Sequence, residues 1–582
     1  MKYVSFESGY EKIPRIEIDY PIYENIAEII DKIKSTHSQT IVIECYPGID
    51  YQQILTQLVE PLEYEKIIKI DEFSYPIKKI NKKFAPYLTK DRIFGKMCPF
   101  SITDLYPKSI QEKLQKSTHQ TQSTIIYGFG ASLVDHYDLL IYIDISRWEI
   151  QQRFRRNEIG NWKLNNLTED VLRKYKRGYF IEWRIADRLK TSLFDKIDYY
   201  IDGNKNNHLK MLKGSFFNEI LKEISTQPFR LTPYFDPGVW GGQWMKEVCN
   251  LDPEKVNYAW SFDGVPEENS LTFSYQGIDL EMPALNLIMK YPQNLLGEYI
   301  YHRFGAEFPI RFDFLDTMDG QNLSLQVHPM KKYIQEQFGI EYTQDESYYI
   351  LDSRENSCVY LGMKDGINPK EFITALKEAQ ISNQMDVERF VNKISVKKHD
   401  HILIPAGTVH GSGKDTMVLE ISATPYIFTF KLWDWNRLDL DGKPRPINID
   451  HGSKVIQFQR DTKWISKELV NRIEVLSNDG GVIEERTGLH DLEFIETRRY
   501  WFDKVIVLHT RDTVHVSNLV EGQQAIVESP IHAFDPFEIH YAETFIVPAA
   551  VGEYTIRPFG VSEGKTIGLI NAYVRPIKTT PK

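Results

Sequence analysis

Four residues stand out for their types and their order along the chain. Gln326 and His328 occupy alternate positions of Leu323-Ser-Leu-Gln-Val-His-Pro329. Glu346 follows, just ahead of Tyr348-Tyr-Ile-Leu351, and His410 closes Ile402-Leu-Ile-Pro-Ala-Gly-Thr-Val-His410. Successive side chains of a strand point to opposite faces, so Gln326 and His328 share one face. The Pro405-Ala-Gly407 stretch predicts a tight turn that delivers His410 into the start of a strand. Two neutral imidazoles, a carboxylate and an amide oxygen suit zinc or a similar borderline divalent ion. With no thiolate and an open position, such a set suits Lewis-acid chemistry better than structural stapling. The plainer reading is of unrelated polar groups; the combination and its order favour the metal.

The elements that must hold these groups are strands. After Gln227 the texture changes at Pro233, Pro237, Gly238, Gly241 and Gly242. From there strands dominate, punctuated by Asp263-Gly264, Asp319-Gly320, Asp365-Gly366, Asp441-Gly442 and Asp479-Gly480, which read as turns. A helical insert is predicted over Pro369–Ala379, continuing through Met385 to Asn392. A second all-β segment runs from about Tyr500 to the end, so two barrels in tandem are expected.

Ahead of the boundary, strands alternate with helices. Ile41–Glu44, Ser123–Tyr127, Leu139–Asp144 and Ile197–Ile201 read as buried strands, and Tyr51–Glu60, Glu149–Arg156 and Glu169–Leu193 as helices. That alternation predicts a doubly wound parallel α/β sheet. The expected organisation is an α/β domain over 1–226, a metal-binding β domain over 227–455 and a smaller β domain over 456–582.

The whole chain sets outer bounds. Its 582 residues exceed a single core. A formal net charge of -11 argues against broad nucleic-acid binding but leaves room for a cationic pocket facing a phosphorylated substrate. The 4 cysteines form no CxxC pair, which fits a reducing cytoplasm. No run of about 18 apolar residues suggests a membrane span, and the opening residues carry no leader-like apolar stretch. A homo-oligomer is left open.

These residues carry a resemblance. Leu323–Pro329, Asp345–Leu351 and Pro405–Gly413 resemble the metal-binding segments of type I mannose-6-phosphate isomerases, a cupin family. Val239-Trp-Gly-Gly242, Leu295-Leu-Gly297, Phe308-Pro-Ile310, Leu419-Glu-Ile421 and Lys431–Arg437 follow in the family's order, over roughly residues 228 to 455. The tail to 582 is similar to the family's second, smaller cupin. The resemblance implies a cupin double barrel with one zinc ion on Gln326, His328, Glu346 and His410. It implies interconversion of mannose 6-phosphate and fructose 6-phosphate through an enediol. It gives Lys431 and Arg437 as catalytic candidates, and Ser324, Lys443 and Arg445 as substrate-binding ones, with Lys331 and Lys332 near the metal segment. Two positions depart from the family: Gln344 stands in place of a lysine and Lys431 in place of an arginine. Arginine and lysine are not interchangeable at a bidentate site.

Residues 38 to 203 resemble a nucleoside-kinase-type P-loop domain. Gly48 alone remains of the loop glycines, and Tyr51 and Gln52 stand where lysine and serine or threonine belong. Asp144–Arg147 and Arg153–Arg156 resemble a kinase strand end and lid arginines. The phosphate site reads as lost. The competing reading of the whole chain is a non-catalytic sugar or nucleotide sensor.

Overall fold

The computed structural model describes residues 9–575, apart from 119–122, 424–425, 427, 441 and 489. Asp441 of one expected turn therefore lies outside the described residues, as do the first eight.

The N-terminal part is built on a seven-stranded sheet. Lys66–Lys69, Thr124–Gly128, Thr40–Cys45, Leu139–Asp144 and Tyr199–Asp202 lie side by side in that order, all parallel. Lys210–Lys213 and Ile22–Tyr23 extend the sheet antiparallel. The central strands are buried along their length, with Ile41, Val42, Ile43, Ile125, Ile126, Leu140 and Ile141 fully covered. Such continuous β-branched and aliphatic runs are what a parallel sheet covered on both faces requires. The expected helix over Glu149–Arg156 is Arg147–Arg155, capped by the Ser146 hydroxyl. The expected helix over Glu169–Leu193 is Val171–Arg177 and Trp183–Leu193, joined by a π turn at Gly178–Glu182. One N-terminal strand leaves this sheet: Arg15–Glu17 pairs in parallel with Ser270–Tyr275.

Two antiparallel sheets follow. One, of six strands, contains Arg311–Asp316, Asp345–Ser353, His401–Ile404 and Thr416–Ala423. The other, of five, contains Leu325–Val327, Cys358–Met363, His410–Ser412 and Phe430–Trp433. Tyr348, Ile350, Ile404 and Val418 of the first share a core with Val359 and Leu361 of the second, so the sheets face each other. A second such pair, of six and four strands, begins at Glu474 rather than near Tyr500. Phe502, Leu519 and Leu569 of its larger sheet meet Ala525, Val527 and Tyr554 of the smaller one.

Two expectations are corrected. Asp263-Gly264 is not a turn but the end of the strand Trp260–Gly264, where a bulge breaks the register between Phe262 and Gly264. The insert helix is real over Pro369–Ser382 but stops at Asn383, which takes a left-handed conformation at φ 60. Beyond it Val391–Ser395 is a strand paired with Cys358–Met363. Asparagine tolerates that conformation, and so can end a helix whose apolar spacing would carry on.

The α/β unit packs its strand ends against the strand Ile278–Pro283 and the helix Leu285–Lys290. Asp144 ends its strand fully buried, accepting from Lys190 Nζ at 2.8 Å and from Asn286 Nδ2 at 2.9 Å. Asp202, at the next strand end, accepts the Glu281 backbone N–H at 2.9 Å.

Candidate metal centre and cavity

The two facing sheets bring the four singled-out residues to one place. Leu325–Val327 sets Gln326 opposite His410 on one side and opposite Lys431 on the other. Glu346 comes from the facing sheet, paired with Ile404 and Ser422. The turn before His410 needs Gly407, whose φ is 89 and whose absent Cβ would meet Met330 Sδ at 2.7 Å. Arg460 clamps this turn, donating to the carbonyls of Pro405 at 2.7 Å and Ala406 at 2.8 Å. Nothing in the local sequence pattern marked Arg460, because its partners are backbone carbonyls distant along the chain.

His328 Nε2 lies 2.9 Å from Glu346 Oε2, and His410 Nε2 lies 2.7 Å from Glu346 Oε1. One ligand atom from each of the three falls within 4.8 Å of the others, and all three side chains are buried. The outer ring nitrogens decide what this means. His328 Nδ1 is 2.8 Å from the Phe428 carbonyl, and His410 Nδ1 is 2.9 Å from the Thr408 carbonyl. A carbonyl only accepts, so each Nδ1 carries its proton; Nε2 then meets the carboxylate with a lone pair if the ring is neutral and with a second N–H if it is charged. Two such nitrogens on one buried carboxylate call for positive charge between them, as ring protons or as a bound cation. Neither His328 Nε2 nor Glu346 Oε1 has an aligned hydrogen-bond partner. Burial alone would push the Glu346 carboxyl up, but the charges of His328 and His410 hold it well below the usual range. Burial disfavours protonation of His328, yet Glu346 raises its pKa.

Gln326 turns its amide nitrogen to His410 Nε2 at 3.2 Å, while its oxygen takes the Ser324 hydroxyl at 3.0 Å. Gln344, where the resemblance expects lysine, donates to Glu346 Oε2 at 3.1 Å and accepts the Phe428 N–H at 3.0 Å. It therefore orients the carboxylate that a lysine there would have paired by charge.

A cavity of about 490 Å³ opens beside this cluster. Ser324, Gln326 and Lys431 line one wall; Arg311, Asp313 and Glu420 come from the facing sheet, with Gln344 just ahead of its strand Asp345–Ser353. Lys431 has its pKa pulled down to about 8, first by burial and then by Arg445. Arg445 lines the cavity but spends one nitrogen on Asp434 Oδ2 at 2.7 Å. Arg437 pairs with the same carboxylate and stands outside the lining, and Lys443 is exposed outside it. Lys331 lines a separate cleft between the two barrels, and Lys332 is 86% exposed. Neither His302 nor His399 lines the cavity. Asp313 and Glu420, which carried no expected role, stand opposite each other in register. Burial raises both, Asp313 to about 6.

The loop around Gly48 is filled by the chain itself. Arg153 donates to the Gly48 carbonyl at 3.2 Å and to the Gly203 carbonyl at 2.8 Å. Ile150 packs where a Cβ on Gly48 would stand, and the Tyr51 hydroxyl accepts the Phe129 N–H at 2.8 Å.

Residues 23–226 match the family model described as Domain of unknown function (DUF8485). The Bacillus subtilis (strain 168) protein Mannose-6-phosphate isomerase ManA is 26% identical over 237 residues, 40% of this chain and 69% of that protein. Probable mannose-6-phosphate isomerase GmuF of the same organism is 22% identical over 333 residues, 57% of this chain and 96% of that protein. A crystal structure of the mannose 6-phosphate isomerase from Bacillus subtilis aligns with 60% of this chain and 100% of its own, at 18% identity and a TM-score of 0.48. By likeness to its curated relatives, the chain is an enzyme of the isomerase class.

Proposed function

We propose that this chain is a metal-dependent aldose–ketose isomerase of sugar phosphates, interconverting mannose 6-phosphate and fructose 6-phosphate through an enediol in a cupin barrel. The observation that carries the reading is the pair of imidazoles, each anchored through Nδ1, converging on buried Glu346 beside the cavity. His328, Glu346 and His410 would hold zinc or a similar divalent ion, with Gln326 joining once its amide turns its oxygen inward. When bound, the ion supplies a Lewis acid that polarises the sugar carbonyl.

The chain's own groups account for the remaining work. Ser324 and Lys431, on the wall that carries Gln326, are assigned to the phosphate, with Arg445 behind them. The facing carboxyls Asp313 and Glu420 are assigned the proton transfer. One, ionised, takes the C2 proton of the aldose and returns it at C1, while its protonated neighbour gives a proton to O1 and recovers one from O2. The cavity walls exclude water while the enediol lasts. Arg437 and Lys443 are left a supporting part outside the cavity. A cytoplasmic setting fits a phosphorylated sugar and 4 unpaired, buried cysteines. No described helix is long and apolar enough to cross a membrane.

The test is a coupled assay of fructose 6-phosphate formation from mannose 6-phosphate, with metal content measured on the same protein. Turnover should vanish on chelation and in His410→Ala, which should also lose its metal. Activity that survives both would overturn the reading.

A further inference from the structure

In doubly wound sheets, ligands bind in the crevice outside the carboxyl ends of the strands. Here that crevice is taken up by the strand Ile278–Pro283 and the helix Leu285–Lys290. Asp144 holds Asn286, Asp202 holds the Glu281 backbone, and Gly48 is closed by Arg153. What the α/β unit presents instead is the surface of two helices, Arg147–Arg155 and Val171–Arg177, and that surface lies on the sugar cavity.

The contact is built. Arg155 grips Asp236 of the barrel with two parallel bonds of 2.7 and 2.8 Å. Trp148 stacks on Tyr234 at 4.9 Å and 4°. Glu268 reaches the cavity from the barrel side, and both its oxygens are held by the α/β unit. Tyr175 Oη donates to Oε1 at 2.9 Å, and Gln151 Nε2 donates to Oε2 at 2.7 Å. A carboxylate offers about four lone-pair sites, so two such bonds leave acceptor capacity. An acceptor-only group in a partly dry cavity suits a sugar hydroxyl, and a fixed one discriminates by the hydroxyl's position.

We infer that the α/β unit roofs the sugar cavity, with Tyr175 and Gln151 as positioning residues that fix Glu268 to recognise a substrate hydroxyl. On this basis the N-terminal unit sets which sugar phosphate is accepted. The inference rests on the isomerase reading above, and it takes the unit as a specificity element rather than a nucleotide site.

The test compares the full-length chain with Tyr175→Phe, with the double variant Tyr175→Phe/Gln151→Leu, and with Glu268→Gln. KM and kcat are measured for mannose 6-phosphate, and calorimetric Kd for mannose 6-phosphate and for its C2 epimer glucose 6-phosphate. Metal content and melting temperature are recorded alongside. Loss of one hydrogen bond to a charged group predicts KM and Kd raised about 10-fold with kcat within about 3-fold. Preference between the epimers should shift by about 10-fold, with metal content unchanged. Tyr175→Phe alone reports should the double variant fold poorly. Unchanged Kd and unchanged epimer preference in all three variants would overturn the inference. If the native chain binds sugar phosphates without turning them over, the isomerase reading fails while the Kd comparison still decides the roof. If it binds neither sugar phosphate, both fall.

Discussion

At the scale of the residue, the site is decided by which ring nitrogen carries a proton. The Phe428 and Thr408 carbonyls hold the outer nitrogens of His328 and His410 as donors, leaving the inner ones turned to Glu346. Lys431 is the second residue whose state matters. Its pKa of about 8 means that the ammonium is lost as pH rises through 8. If it holds the substrate phosphate, KM for mannose 6-phosphate should climb above pH 8 and stay low beneath it. Lys431→Arg stays charged at every working pH and should flatten that rise. A pH profile of KM that is the same for both proteins would remove Lys431 from the phosphate site.

At the scale of the element, His410 depends on a turn and a clamp. Gly407 sits at φ 89, and a side chain there strikes Met330. Gly407→Ala should cost roughly 1–3 kcal/mol of stability. It should also lower metal content, because the turn aims His410; thermal melting and metal analysis read the two effects. The C-terminal barrel carries a different liability. His515 is buried against the Tyr554 hydroxyl at 2.8 Å, and burial lowers its pKa to about 3. An unfolded histidine titrates near 6.5, so between about pH 6.5 and 3 the unfolded chain binds the proton and the folded one does not. Stability is therefore lost as pH falls through that window, by up to about 1.4 kcal/mol per pH unit. His515→Gln should reduce the pH dependence of urea unfolding there; an unaltered slope would exclude His515 as its source.

At the scale of the whole molecule, the α/β unit and the barrel are joined by buried polar groups. Lys190 and Asp144 are 2% and 0% exposed, and Lys190 also donates to Asn286 of the helix Leu285–Lys290 at 3.0 Å. Removing one partner strands the other charge, so Lys190→Met should cost about 3–5 kcal/mol in urea unfolding. Because Asn286 shares the network, the loss should extend to the barrel and appear in the melting of metal-loaded protein. A change below 1 kcal/mol would mean that water satisfies Asp144 once the lysine is gone.

The grouping of His328, Glu346 and His410, the parallel sheet and the paired β units were legible in the sequence because each rests on local pattern. Alternating residues fix a strand face, a Pro-Gly turn fixes where His410 emerges, and unbroken aliphatic runs mark buried parallel strands. Contacts between distant segments were not legible. Arg460 holding the Pro405 turn, Asp313 meeting Glu420 and Tyr175 reaching Glu268 leave no mark on the residues around them. Even Gln344, singled out as a departure, read only as a lost cation. Its grip on Glu346 and Phe428 emerged once the sheets faced each other. The sequence by itself determined which groups could bind a metal. The tertiary structure decided which charges line the cavity and placed the N-terminal unit over it, because burial and partner choice depend on packing between segments far apart in the chain.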